Sequence, residues 1–157
     1  MNSFSPVGEP RIVSSEAKVK NIVIEDVHTI RSEASVLEAA SLMLEKNVGC
    51  LVVMRQGGAI GMVTERDMLR MLTAVGTDPS KIRVKEIMSV PLIATTMDTS
   101  IGDAAKKMIE NNIRRLVVLG EEGTFFGLVT MTDIVRWLAR QEELSDSLIN
   151  YLAYNVP

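Results

Sequence analysis

The sequence predicts a mixed α/β (α+β) fold in which one small unit, of strand–helix–strand–strand–helix order, is built twice. Two observations carry this. Residues 61–70, GMVTERDMLR, return as residues 127–136, GLVTMTDIVR, 66 positions later. Upstream the spacing is 65: Glu45-Lys46-Asn47 matches Glu110-Asn111-Asn112, and Leu51-Val52-Val53 matches Leu116-Val117-Val118. A one-residue length change near Gly58 and Gly123 reconciles the two offsets. The second observation is composition. Apolar residues make up 46% of the 157, yet only three Phe, two Tyr and one Trp occur, so the core must be aliphatic. The ten Met fit as fillers of gaps in such a core, an adaptable binding surface being their other use.

Residues 1–18, with Pro6, Gly8 and Pro10, read as a loose tail. The first unit spans 19–75, opening at Val19-Lys20-Asn21-Ile22 and continuing through an extended stretch near 27–30. Ser35 with Glu38 three positions later forms a capping box, and Val36, Ala39, Ala40, Met43 and Leu44 follow at helical spacing. Asn47 and Gly49 end that helix. Residues 50–54 read as a buried strand, Gln56-Gly57-Gly58 as a turn, and 60–63 as a second strand. Thr64 stands where this strand gives way to a helix with Met68, Leu69 and Leu72 on its apolar side.

A linker over 76–83, holding Gly76 and Pro79, leads to the second unit over 84–140. There Ser100 and Asp103 repeat the cap, and Ile101, Ala104, Ala105, Met108 and Ile109 repeat the stripe. Strands are expected over 116–119 and 125–129, and a helix from about Thr132 through Ala139. Residues 141–157 read as a C-terminal helix and tail. Leu144, Leu148, Ile149 and Leu152 form a stripe that would cover this unit or a partner subunit.

The net charge of −3 and the absence of a long basic block leave non-specific nucleic-acid binding unsupported, though a local basic patch stays open. Cys50 is the lone cysteine, which excludes an intrachain disulfide and a multi-cysteine metal site. With no signal peptide and no membrane-length apolar run, a cytoplasmic protein is expected. No P-loop, zinc motif or catalytic dyad occurs, so no enzymatic activity is expected. His28 lacks a paired acid or nucleophile and reads as structural or exposed. Cys50 reads as packing, and the glycines at 57, 58, 120 and 123 as hairpin turns.

The two motifs, GMVTERD over 61–67 and GLVTMTD over 127–133, together with VKEIMS over 84–89, closely resemble those of a tandem pair of cystathionine-beta-synthase (CBS) domains, the Bateman module. The resemblance covers about residues 19–140. It implies two units packed with pseudo-twofold symmetry, two clefts, and assembly into a homodimer. It also implies a regulatory adenosine ligand, AMP, ADP or ATP, with no required cofactor, and signalling to a partner protein. By the same resemblance Asp67 with Thr64, and Asp133 with Thr130, would hold ribose and phosphate, while Ile24, Val27, Ser89, Ile93 and Thr95 would line the base-binding sides.

The chemistry of these residues agrees. A carboxylate accepts both protons of paired ribose hydroxyls, and a threonine at a strand-to-helix junction can meet a ligand as well as cap backbone donors. Capping alone is the competing explanation for each pair. Arg114 or Arg115 could present a guanidinium to phosphate. Their first-copy counterparts are Gly49 and Cys50, so the clefts are expected to differ in charge, with the Asp133 site dominant unless the arginines cross to the Asp67 side. Arg66 and Arg136 are secondary candidates, with solvent-facing ion pairing their alternative; Lys20 and Lys85 read as solvated. Other functions left open are a scaffold without ligand, an S-adenosylmethionine binder and a nucleic-acid-binding regulator.

Overall fold

A computed structural model of the chain describes residues 17–76 and 78–141. The expected C-terminal helix and most of the N-terminal tail therefore lie outside the described residues. The first copy comprises β1 (Thr29–Arg31), α1 (Val36–Lys46), β2 (Cys50–Arg55), β3 (Gly58–Thr64) and α2 (Glu65–Val75). A short helix α3 (Val84–Ile87) precedes the second copy: β4 (Ala94–Thr96), α4 (Ile101–Glu110), β5 (Arg115–Leu119), β6 (Phe125–Thr130) and α5 (Met131–Gln141). Each copy has the expected order.

Local chemistry accounts for the element boundaries. Ser35 Oγ accepts from the Glu38 amide at 3.1 Å while Glu38 Oε2 accepts from the Ser35 amide at 2.7 Å, closing the predicted box at the start of α1. Both α1 and α4 are followed by an asparagine in the left-handed region, Asn47 at φ 51° and Asn112 at φ 52°. Between β2 and β3 both Gln56 and Gly57 have positive φ, as a two-residue hairpin turn of matching twist requires.

Each copy makes a three-stranded sheet. β1 runs parallel to β2 across the α1 crossover, and β2 pairs antiparallel with β3; β4, β5 and β6 repeat this. The lead segments are exchanged. Ile24 exchanges both backbone hydrogen bonds with Leu128 of β6, at 2.8 and 2.9 Å, and Ser89 does the same with Met62 of β3, at 2.8 and 3.3 Å. Val19 accordingly belongs to the core of the second copy, with Ile101, Met108 and Leu116, and Val84 to that of the first, with Val36, Met43 and Leu51. A third cluster, centred on Val52, Val117 and Leu128, joins the two sheets face to face.

Gly61 and Gly127 permit the exchange. A methyl on Gly61 would meet Met88 Sδ at 2.9 Å and the Ser89 carbonyl at 3.0 Å, and one on Gly127 would collide with the Ile24 carbonyl.

Four residues assigned to buried stripes face solvent instead: Leu44 is 83% exposed, Ile109 71%, Leu69 62% and Leu72 47%. The apolar arc of α2 is wider than its buried face, which Met68 and Met71 occupy. Leu44 and Ile109 lie at corresponding positions near the ends of α1 and α4.

Candidate functional site

The two strand-to-helix corners carry the repeated Thr/Asp pairs. At the first, the Asp67 amide donates to Thr64 Oγ1 at 3.3 Å, while Asp67 Oδ2 accepts from the Thr64 amide at 2.8 Å and from its hydroxyl at 2.7 Å. The second reproduces this: 3.2 Å from the Asp133 amide to Thr130 Oγ1, then 2.9 and 2.5 Å from Thr130 to Asp133 Oδ2. Both pairs therefore are capping boxes, as their competing explanation requires. The cap engages one oxygen of each carboxylate. Oδ1 stands outside both boxes, and both aspartates are half-buried.

The exchanged segments bring the two copies together at these corners. Ile24 is bonded to Leu128, two residues before Thr130, so the 24–27 stretch borders the Asp133 corner. Ser89 is bonded to Met62, two residues before Thr64, and borders the Asp67 corner. Ile24 and Ser89 are exposed, whereas Val27 and Ile93 are half-buried. Thr95 is 6% exposed inside β4, opposite Val118, and is closed to solvent here.

Across the ladders Cys50 pairs with Thr64 and Arg115 with Thr130. Arg115 nevertheless reaches over to the first copy. A methyl placed on Gly49 would lie 3.4 Å from Glu65 Oε2 and 3.8 Å from the Arg115 guanidinium, so both charges converge above this glycine. Burial pushes the Cys50 thiol up from its ordinary range, with the Glu65 charge adding to the rise and Arg115 opposing it. That thiol is a packing group. Arg114 is exposed and its carbonyl accepts from the Met131 amide at 2.9 Å; Arg66 is exposed on the first turn of α2.

Glu65 is absent from the sequence-derived candidates. Its signal is that it occupies a repeated position where the copies differ in charge, the counterpart being Met131. Among the described residues no group of three or more His, Cys, Asp and Glu side chains could hold a metal ion. No described helix is long and apolar enough to cross a membrane.

Residues 19–74 and 84–140 each match the family model of the CBS domain. The chain is 32% identical over 140 residues to CBS domain-containing protein YhcV of Bacillus subtilis, an alignment covering 89% of this chain and 99% of that protein. It is 34% identical over 140 residues to protein MJ1404 of Methanocaldococcus jannaschii, covering 81% of this chain but 33% of that longer one. Among solved structures, the CBS domain pair of protein MJ0100, in complex with 5′-methylthioadenosine and S-adenosyl-L-methionine, has a TM-score of 0.71 at 27% identity, covering 80% of this chain and 98% of that one. CBSX2, solved in complex with AMP, shares the fold at a TM-score of 0.68 and 23% identity, with coverages of 80% and 98%.

Proposed function

Because the chain belongs to the CBS-domain family and carries a tandem CBS pair, we propose that it is a regulatory module that binds an adenosine ligand (AMP, ADP or ATP) and has no chemistry of its own. The observation that carries this reading is the half-use of each motif carboxylate. Capping occupies Oδ2 of Asp67 and of Asp133, which leaves Oδ1 as an acceptor for ribose hydroxyls at both corners. The adenosine compounds bound by MJ0100 and by CBSX2 point to the same ligand class.

Charge favours the Asp133 corner for a phosphate-bearing ligand. It keeps Arg114 on the adjoining strand, whereas the Arg115 guanidinium crosses to Gly49 at the Asp67 corner and lies there with the negative charge of Glu65. A ligand seated there would touch the second copy and the exchanged 24–27 stretch of the first, and so would favour one relative arrangement of the two. Signalling to a partner follows only from a difference in affinity between two such arrangements.

We assign the protein to the cytoplasm as a homodimer. The exposed Leu44, Leu69, Leu72 and Ile109 on its helices are the apolar surface a second copy would cover. Light scattering coupled to gel filtration reads this directly: a monomer at micromolar concentration refutes it.

Calorimetry and thermal shift with AMP, ADP, ATP, adenosine, 5′-methylthioadenosine and S-adenosylmethionine test the ligand. Saturable binding of an adenine nucleotide with a rise in Tm is expected. If none of these compounds binds, the pair is a scaffold.

A further inference from the structure

At the end of the first copy's sheet away from the Asp67 corner lies an open cavity of about 410 Å³, lined by Arg31, Ser32, Glu33, Glu38, Arg55 and Arg83 among others. It sits at the hairpin end of β2, while Cys50 and Thr64 stand at the other end of that strand. Five residues at about 3.3 Å each put roughly 17 Å between the two places.

The charges around this cavity are unequally committed. Glu38 spends Oε2 on the amide and hydroxyl of Ser35, at 2.7 and 2.9 Å, and Glu33 receives both its hydrogen bonds from Lys85, at 3.0 Å. The guanidinium groups of Arg31, Arg55 and Arg83 donate no hydrogen bond among the described residues and all three are exposed; the charges of Arg31 and Arg83 are felt by the Glu38 carboxylate, whose own hydrogen bonds go to Ser35. Ser32 adds a second kind of evidence. It is 2% exposed, and its hydroxyl has no hydrogen-bond partner among the described residues. No described side-chain polar atom that is sealed from solvent lacks a partner, so this hydroxyl opens on the cavity it lines.

The second copy supplies an internal control. At the corresponding positions Arg31, Ser32 and Arg55 become Thr96, Met97 and Gly120. The counterpart of Arg83 is Lys18, whose ammonium is already paired with Asp98 at 3.1 Å. The duplicated backbone alone therefore does not call for three guanidinium groups at this pole.

We propose that Arg31, Arg55 and Arg83, with Ser32, form a binding site for a compact, multiply charged phosphate anion, separate from the nucleotide corners. Planar guanidinium groups match phosphate oxygens two at a time, and a cavity of this size falls within the range of small-ligand sites. The site does not depend on the nucleotide reading and would stand if that reading failed.

Inorganic triphosphate is the probe, titrated calorimetrically into the full chain at low ionic strength, with pyrophosphate as a shorter comparison. Saturable binding is expected, weakened roughly tenfold or more by either Arg31→Gln or Arg83→Gln and left unchanged by Lys18→Gln at the corresponding position of the repeat. Amide chemical-shift mapping on the unaltered protein decides the location independently of how well the variants fold. Shifts at Ser32, Gln56 and Arg83 support the site. Shifts gathered instead around Thr64 and Thr130, or no saturable binding of either anion at millimolar concentration, overturn it. So would an affinity in both the Arg31→Gln and Arg83→Gln variants equal to that of the unaltered protein.

Discussion

At the corner between β3 and α2 the first copy places Glu65 beside Gly49 and Cys50, where the Arg115 guanidinium also reaches, while at the corner between β6 and α5 the second places Met131 beside Arg114. The backbones at these corners correspond closely. Each has a Thr/Asp capping box, a left-handed asparagine before its central strand, and a glycine against which the other copy's lead segment lies. The duplication thus preserved what builds the corner and released what gives it charge. On the proposed reading, a handful of side chains on a shared frame would set what each corner binds.

The largest effect that bears on this comparison comes from the glycines. Gly127→Val should cost about 3 kcal/mol in chemical denaturation, since its side chain must displace the Ile24 backbone. Gly61→Val should cost less, about 2 kcal/mol, because one of its two close neighbours is the flexible end of Met88. Equal costs would mean that the two exchanged segments are held alike.

Next in size is the charge asymmetry. Arg115→Gln should weaken AMP binding about fivefold to tenfold and leave adenosine binding nearly unchanged, because only AMP carries phosphate. Equal losses for both ligands would make Arg115 a structural residue of the Gly49 and Glu65 junction.

The smallest effect comes from the cap of α1, where the Ser35 amide donates to Glu38, a bond that the Ser100 and Asp103 cap of α4 lacks. The Glu38 carboxyl is held below its ordinary value of 4.5, chiefly by the Ser35 amide and then by its hydroxyl. A carboxylate depressed in the folded state stabilises the fold above its unfolded pKa, and that contribution is lost as pH falls through the folded value. Glu38→Gln should therefore flatten the decline of Tm below about pH 4.5. A decline as steep as that of the unaltered protein would contradict a part for the Ser35 cap in that loss of stability.

Much of the frame was legible in local signals. Ser35 with Glu38, the glycines and asparagines at turns, and aliphatic runs of strand length mark where elements begin and end, and the repeat doubles each signal. The exchange of lead segments was not legible, because Val19 and Val84 have apolar neighbours available in either copy and periodicity does not choose between them. Leu69 and Leu72 show the same limit: an apolar arc on a helix has a width in sequence, but its owner is set by packing. At the site, the Thr/Asp pairs were readable as residues, and that their capping engages one carboxylate oxygen became visible only in the bonds. The reach of Arg115 toward Glu65 depends on a long side chain crossing between copies, which no spacing encodes.

The most direct test uses that division between oxygens. Asparagine at position 133 can still accept from Thr130 and keep the cap, but it presents an amide N–H₂ where Oδ1 stood. Calorimetric titration of AMP into the unaltered protein, Asp133→Asn and Asp67→Asn should show Asp133→Asn at least roughly tenfold weaker with an unchanged Tm, and Asp67→Asn less affected. Unaltered AMP affinity in both variants would contradict ribose recognition by these carboxylates.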